Sequence, residues 1–109
     1  MKPIVVGLLL ALAGVQVQAH GRLEAYEICT SMTFTSGKNK CISALRNYEY
    51  FDPWAIDVCI GMSFDAGKLE CIANIGDKIF DAYDVIACEK ENSFDSGKNR
   101  CLKAVGQPF

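Results

Sequence analysis

Apolar residues recur along the chain at helical spacing. Ala25, Ile28, Cys29 and Met32 fall at i, i+3, i+4 and i+7, and Ala55, Val58, Cys59 and Met62 repeat the same stripe. Between and after these arms come Ile42 and Leu45, then Ile72, Ile75 and Ile79, then Leu102 and Val105, again one helical turn apart. Start signals sit in front of the stripes. Thr35, Asp65 and Asp95 read as N-caps of the second arms, and Asp52 and Asp81 as N-caps of first arms. Pro53 follows Asp52 at the first helical position, where a missing N–H costs nothing. Phe51, Phe64, Phe80 and Phe94 each precede one of these aspartates, the place from which a ring packs back on the first turn. Period-two alternation is absent, and proline and glycine fall at the joints, so the pattern predicts an all-α protein without strands.

The pattern is also periodic over a longer distance. The segment from Cys29 to Ile42 aligns with that from Cys59 to Ile72 at an offset of 30, without a gap, and a third copy aligns from Phe94 to Leu102. The shared string is Phe, Thr or Asp, a small residue, Gly, Lys, two variable residues, Cys, then Ile or Leu. Cys88 stands one place early because Glu89 to Ser93 contains one extra residue. Repeats of this period are stacked supersecondary units. The expected architecture is three helix hairpins of ~30 residues, a short α-solenoid. In the third unit the stripe positions are Asp84, Ala87, Cys88 and Glu91, a more polar arm suited to a terminal unit, and three units are about the minimum that buries a continuous core. The array therefore reads as whole.

The first nineteen residues stand outside this scheme. Met1-Lys2-Pro3 is a short basic start, Ile4 to Val15 is apolar, and Val17-Gln18-Ala19 offers a signal-peptidase site. Gln16 and Gln18 interrupt the run short of the ~18–20 residues of a membrane span. Residues 1–19 are thus expected to be a signal peptide, and residues 20–109 a single exported domain, periplasmic or secreted, with no stable insertion in the membrane after cleavage. Export makes disulfides the expected fate of the six cysteines. In each unit two cysteines flank the joint, about six residues to either side, so they sit at similar height on antiparallel arms with facing stripes. This predicts Cys29–Cys41, Cys59–Cys71 and Cys88–Cys101, each worth ~3 kcal/mol in the chain-entropy model. A metal or redox site would want a close C-x-x-C pair, and there is none.

Composition narrows the function classes. Of 109 residues, 50% are apolar and 22% charged, which excludes a disordered polyelectrolyte. A formal charge of −2 gives no bulk reason to bind nucleic acid or an anionic membrane. His20 is the only histidine and would become the new N-terminus. A copper brace like that of the polysaccharide monooxygenases needs a second one. With no Ser-His-Asp or Cys-His set and no suggestive carboxylate cluster, the expectation is no enzyme, no cofactor and no metal.

Two features point instead to binding. Lys38, Lys68 and Lys98 follow Gly37, Gly67 and Gly97 in the first turn of a helix, where free N–H groups favour anions. These pairs are not phosphate-binding loops, since Gly61 to Lys68 has five intervening residues and then Leu69. The plain reading is a permissive glycine beside a solvated lysine; the sharper one is a row of positive charge for an anionic partner. The second feature is the aromatic stretch from Asn47 to Trp54, partly echoed from Phe80 to Tyr83. Its rings fit the plug between two units, and Tyr48, Tyr50 and Trp54 are the candidates to remain in part exposed as partner anchors. In architecture the chain is similar to the cysteine-paired helix-hairpin repeats of secreted Sel1-like proteins, with a shorter period and different cysteine spacing, so no site residue carries over. The expected function is a non-catalytic binding module for a protein or anionic glycan. The alternatives are a structural or regulatory envelope protein and a small secreted toxin or inhibitor. The near-identical joints argue against an inhibitor loop, and the acidic balance against a membrane-active toxin.

Overall fold

The computed structural model describes residues 21–109; the expected signal peptide of residues 1–19, and His20, lie outside them. Six helices occupy the described residues: α1 (21–30), α2 (Thr35–Leu45), α3 (Pro53–Ile60), α4 (Asp65–Ile75), α5 (Ala82–Glu91) and α6 (Asp95–Val105). They form three hairpins, α1–α2, α3–α4 and α5–α6. The second arms stack α2 on α4 on α6, and α3 packs on α5. The stripes read from sequence are the core. Ala25, Ile28, Met32, Ala55, Val58 and Met62 are buried from the first arms, and Leu45, Ile72, Ile75 and Leu102 from the second.

A disulfide joins the two arms of each hairpin: Cys29–Cys41, Cys59–Cys71 and Cys88–Cys101, with Cα–Cα separations of 5.4, 5.5 and 5.4 Å. No described cysteine is free. Three such bonds belong to an oxidising compartment. Among the described residues, no helix is long and apolar enough to cross a membrane.

First-arm starts follow the sequence reading. Asp52 accepts hydrogen bonds from the backbone N–H of Trp54 and Ala55 at 2.9 and 3.2 Å, and Asp81 from that of Tyr83 at 2.8 Å. Phe51 and Phe80 are buried just before them. Second-arm starts do not follow it. The N-cap positions are Phe34, Phe64 and Phe94, in extended conformation with no side-chain cap, and Thr35, Asp65 and Asp95 are already helical. Phe64 and Phe94, expected to pack inward, are exposed, as is Phe34. Stacking is the reason: the carboxylates cap a neighbouring unit instead of their own.

The linkers add what periodicity could not announce. Lys78–Ile79 and Gln107–Pro108 form a two-residue antiparallel ladder, β1 and β2. Asp77, the one described non-glycine residue with positive φ, at 54°, knits this corner. An aspartate tolerates that left-handed conformation better than most residues. Its carboxylate accepts from the N–H of Glu49 and Tyr50, its own N–H donates to Tyr50 O, and its carbonyl accepts from Phe109 N–H.

Candidate functional site

The joints between arms are the most regular surface of the molecule. At the first, the N–H groups of Thr33 and Phe34 donate to the two oxygens of Asp65, each at 2.9 Å. At the second, Ser63 and Phe64 donate to Asp95 at 2.8 and 3.0 Å. Each carboxylate therefore comes from the first turn of the next unit's second arm and lies across the start of the preceding unit's second arm. The glycine of the repeat makes room for it. A methyl group at Gly37 would stand 2.9 Å from Asp65 Oδ2, and at Gly67 it would clash with Asp95 Oδ2. The two backbone hydrogen bonds, helped by Lys68 and Lys38, hold the Asp65 carboxyl below its ordinary range. The anion favoured by these helix starts is thus the protein's own aspartate.

The ends of the row are built differently. Position 35 is threonine, in the unit that has no described hairpin before it to clamp. At the third joint the side chain of Asn92, the residue gained by the one-place shift of Cys88, folds over Gly97. Its Nδ2 donates to Cys88 O at 2.9 Å, and its Oδ1 would lie 2.6 Å from a methyl group on Gly97.

Three rings at these joints lie in the open. Phe34, Phe64 and Phe94 are 67%, 71% and 77% exposed. They occupy equivalent positions of stacked units, so they run along one edge at helix-packing intervals of about 8–10 Å. Their backbone is tied down at Phe34 and Phe64 by the aspartates, which makes the edge stiff as well as apolar.

The residues singled out from sequence land unevenly. Lys68 is only 7% exposed, and its ammonium donates to Ser31 O and Ser31 Oγ, each at 2.9 Å. Lys38 and Lys98 are half-buried beside the phenylalanine edge, so the positive row is broken in its middle. Tyr48 is half-buried, lies over Gly76 and meets Phe51 edge-on at 5.8 Å. Tyr50 stacks on Phe109 at 4.8 Å. Trp54 is exposed, at 52%. Two of the three aromatic candidates therefore pack against other rings or backbone, and Trp54 is the exposed one. The sequence signal for the phenylalanine edge was present: one large apolar residue kept at the same place in every unit, next to a polar joint. It read as a staple because that position commonly packs back on its helix.

In the first unit, Arg22, Leu23, Tyr26, Ile42, Leu45 and Arg46 line a largely apolar groove of about 200 Å³. The chain matches no family model, no curated protein and no solved structure.

Proposed function

We propose that the protein is an exported, non-catalytic binding module, working in the periplasm or outside the cell, that holds a protein partner along the joint edge of Phe34, Phe64 and Phe94. The observation that carries this reading is the exposure of the same ring in all three units, with the backbone clamped at Phe34 and Phe64. Exposed apolar rows on small soluble proteins mark interaction surfaces, and aromatic rings are the usual anchors. Three rings on one rigid support act together, so modest individual contacts add up with little ordering cost. The export half of the proposal is supported by the leader-like residues 1–19 and the three disulfides. An anionic glycan is the second reading, because Lys38 and Lys98 flank the same edge, although the ammonium of Lys68 is held inside.

Crosslinking capture from the source organism's envelope separates the two. Changing Phe34, Phe64 and Phe94 together to serine is expected to abolish capture and leave helical content unchanged, while Lys38→Glu with Lys98→Glu retains it. Capture that survives the serine changes but not the glutamate changes replaces the protein partner with an anionic one.

A further inference from the structure

In the second and third units, the side of the hairpin toward the preceding unit is covered. Ile56 and Ile72 are buried there, as are Val85 and Leu102. The first unit has Tyr26 and Ile42 at these repeat positions, with Leu23 beside them, and no described hairpin before it. Tyr26 is 45% and Leu23 68% exposed, and Ile42 is partly buried. Together with Leu45 they line the groove of about 200 Å³. One end of the groove is cationic. Arg22 lies in the first turn of α1 and Arg46 directly follows α2, where the second unit has Asp52 and Gly76. Arg22 Nη2 donates to Tyr48 O at 2.7 Å, which fixes the guanidinium while using one of its five donors. The exposed Arg46 guanidinium has no hydrogen bond or ion pair among the described residues. No acid is among the residues that line the groove.

We propose that this groove docks an acidic amphipathic helix of a partner protein, with apolar side chains on Leu23, Tyr26 and Ile42 and carboxylates on Arg22 and Arg46. Helices cover the equivalent face of the other two units, and an apolar helix face laid in a groove is a general mode of recognition. The volume is below the ~300–1,000 Å³ of small-molecule sites and suits a few side chains. Charge decides the occupant, since a guanidinium pairs best with a carboxylate. Residues 1–19 contain no acid and cannot supply one. A second copy stacked head to tail would bring its Lys38 to Lys90, which stands where Ser31 receives Lys68, and Asn92 already covers Gly97. Two such grooves set face to face would gather arginines with no acid among the lining residues. The groove does not rest on the phenylalanine edge, because Phe34 precedes α2 and Arg46 follows it.

The test is a chemical-shift titration of the isotope-labelled, disulfide-intact protein with a capped helical peptide of glutamate, alanine and leucine, its leucines at i, i+3 and i+7. The Leu23 and Ile42 methyl signals and the Tyr26 ring are expected to shift saturably, while the rings of Phe64 and Phe94 stay in place. The version with lysine for glutamate is expected to move none of them. Arg46→Glu changes an exposed, unpaired side chain, so helical content is expected to hold. It is expected to weaken the glutamate peptide about tenfold or more, the scale of a lost charge-assisted contact, and to admit the lysine peptide. Leu23→Ser is expected to weaken the glutamate peptide as well. Unmoved Leu23, Tyr26 and Ile42 signals, or undiminished binding by the folded Arg46→Glu variant, would overturn the site. Equal binding of the lysine peptide would overturn its assignment to an acidic partner. Shifts of the same signals on dilution of the protein alone would give the groove to a second copy. Shifts between chains with and without residues 1–19 would give it to the leader, and either result overturns the proposal.

Discussion

At Asp65 a single carboxylate ties two repeat units together, and this makes the stack sensitive to acid. The folded protein holds the Asp65 carboxyl below its ordinary value of 3.8 because Phe34 and Thr33 donate to it. The folded value is the depressed one, so this stabilisation is complete above the ordinary carboxylate range and is lost as the pH falls through it toward the folded value. Thermal unfolding followed from pH 6 down to pH 3 should show a falling Tm below about pH 4, and Asp65→Asn should flatten that fall. An equal slope in the variant would assign the acid sensitivity elsewhere. Asn99 makes the corresponding point inside the stack. It is 1% exposed; its Nδ2 donates to Gly67 O at 3.1 Å, and its Oδ1 accepts from Asn74 at 3.0 Å. Asn99→Ala leaves buried polar groups unpaired and should cost about 1–3 kcal/mol in denaturant unfolding. Changing Asn74 and Asn99 together to apolar residues should cost less than the sum of the single changes. Neither network was legible in the sequence. An aspartate after phenylalanine announces a helix start, but only the stack decides whose N–H groups it meets.

At the scale of an element, the glycine and the aspartate of neighbouring units are one device. Gly67→Ala in the intact protein forces a methyl group into the Asp95 carboxylate and should destabilise, although alanine is the better helix former by about 1 kcal/mol. In an Asp95→Ala background the same change should become neutral or stabilising. A double-mutant cycle with no coupling would show that the glycine serves some other purpose. The disulfides differ by position in the same way. Changing Cys59 and Cys71 to serine removes the bond of the unit that supports both neighbours. The loss should exceed both the ~3 kcal/mol of the entropic model and the cost of the same change at Cys88 and Cys101. Equal losses of Tm at the two sites would contradict a stack held by its middle. Hairpins, period and pairing were all legible before any coordinates, because each rests on local helical spacing and a repeated string. The exposure of Phe64 and Phe94 was not, because the staple rule describes isolated helices, and in the stack the start at Phe64 is covered by the Asp95 carboxylate of the next unit.

Across the whole molecule, the linkers and the C-terminal residues close a second seam. The linker at Tyr50, the turn at Asp77 and the strand Gln107–Pro108 lie side by side, finished by the Tyr50–Phe109 stack. Burial, then the nearby Asp52 carboxylate, raises the Tyr50 phenol above its ordinary value of 10.0. Removing residues 107–109 should expose that ring and bring its absorbance titration midpoint back toward 10.0, with a modest fall in Tm and the helices intact. A midpoint that stays high would assign the shift to burial under groups other than Phe109.

What the amino-acid order determined by itself was everything that depends on near neighbours: six helices from a 3.6-residue period, three units from a 30-residue one, and three disulfides from cysteines mirrored about each joint. Tertiary structure alone decided which equivalent residues would be spent and which offered. Lys38, Lys68 and Lys98 are indistinguishable in the repeat, yet Lys68 is drawn in by Ser31, in the place that the third unit's neighbour fills with Gly61. Asp65 and Asp95 look like local caps and act as clamps on the joint of the preceding unit. The physical reason is that stacking brings together groups about thirty residues apart, and their hydrogen bonds and desolvation depend on packing distances that no local pattern encodes.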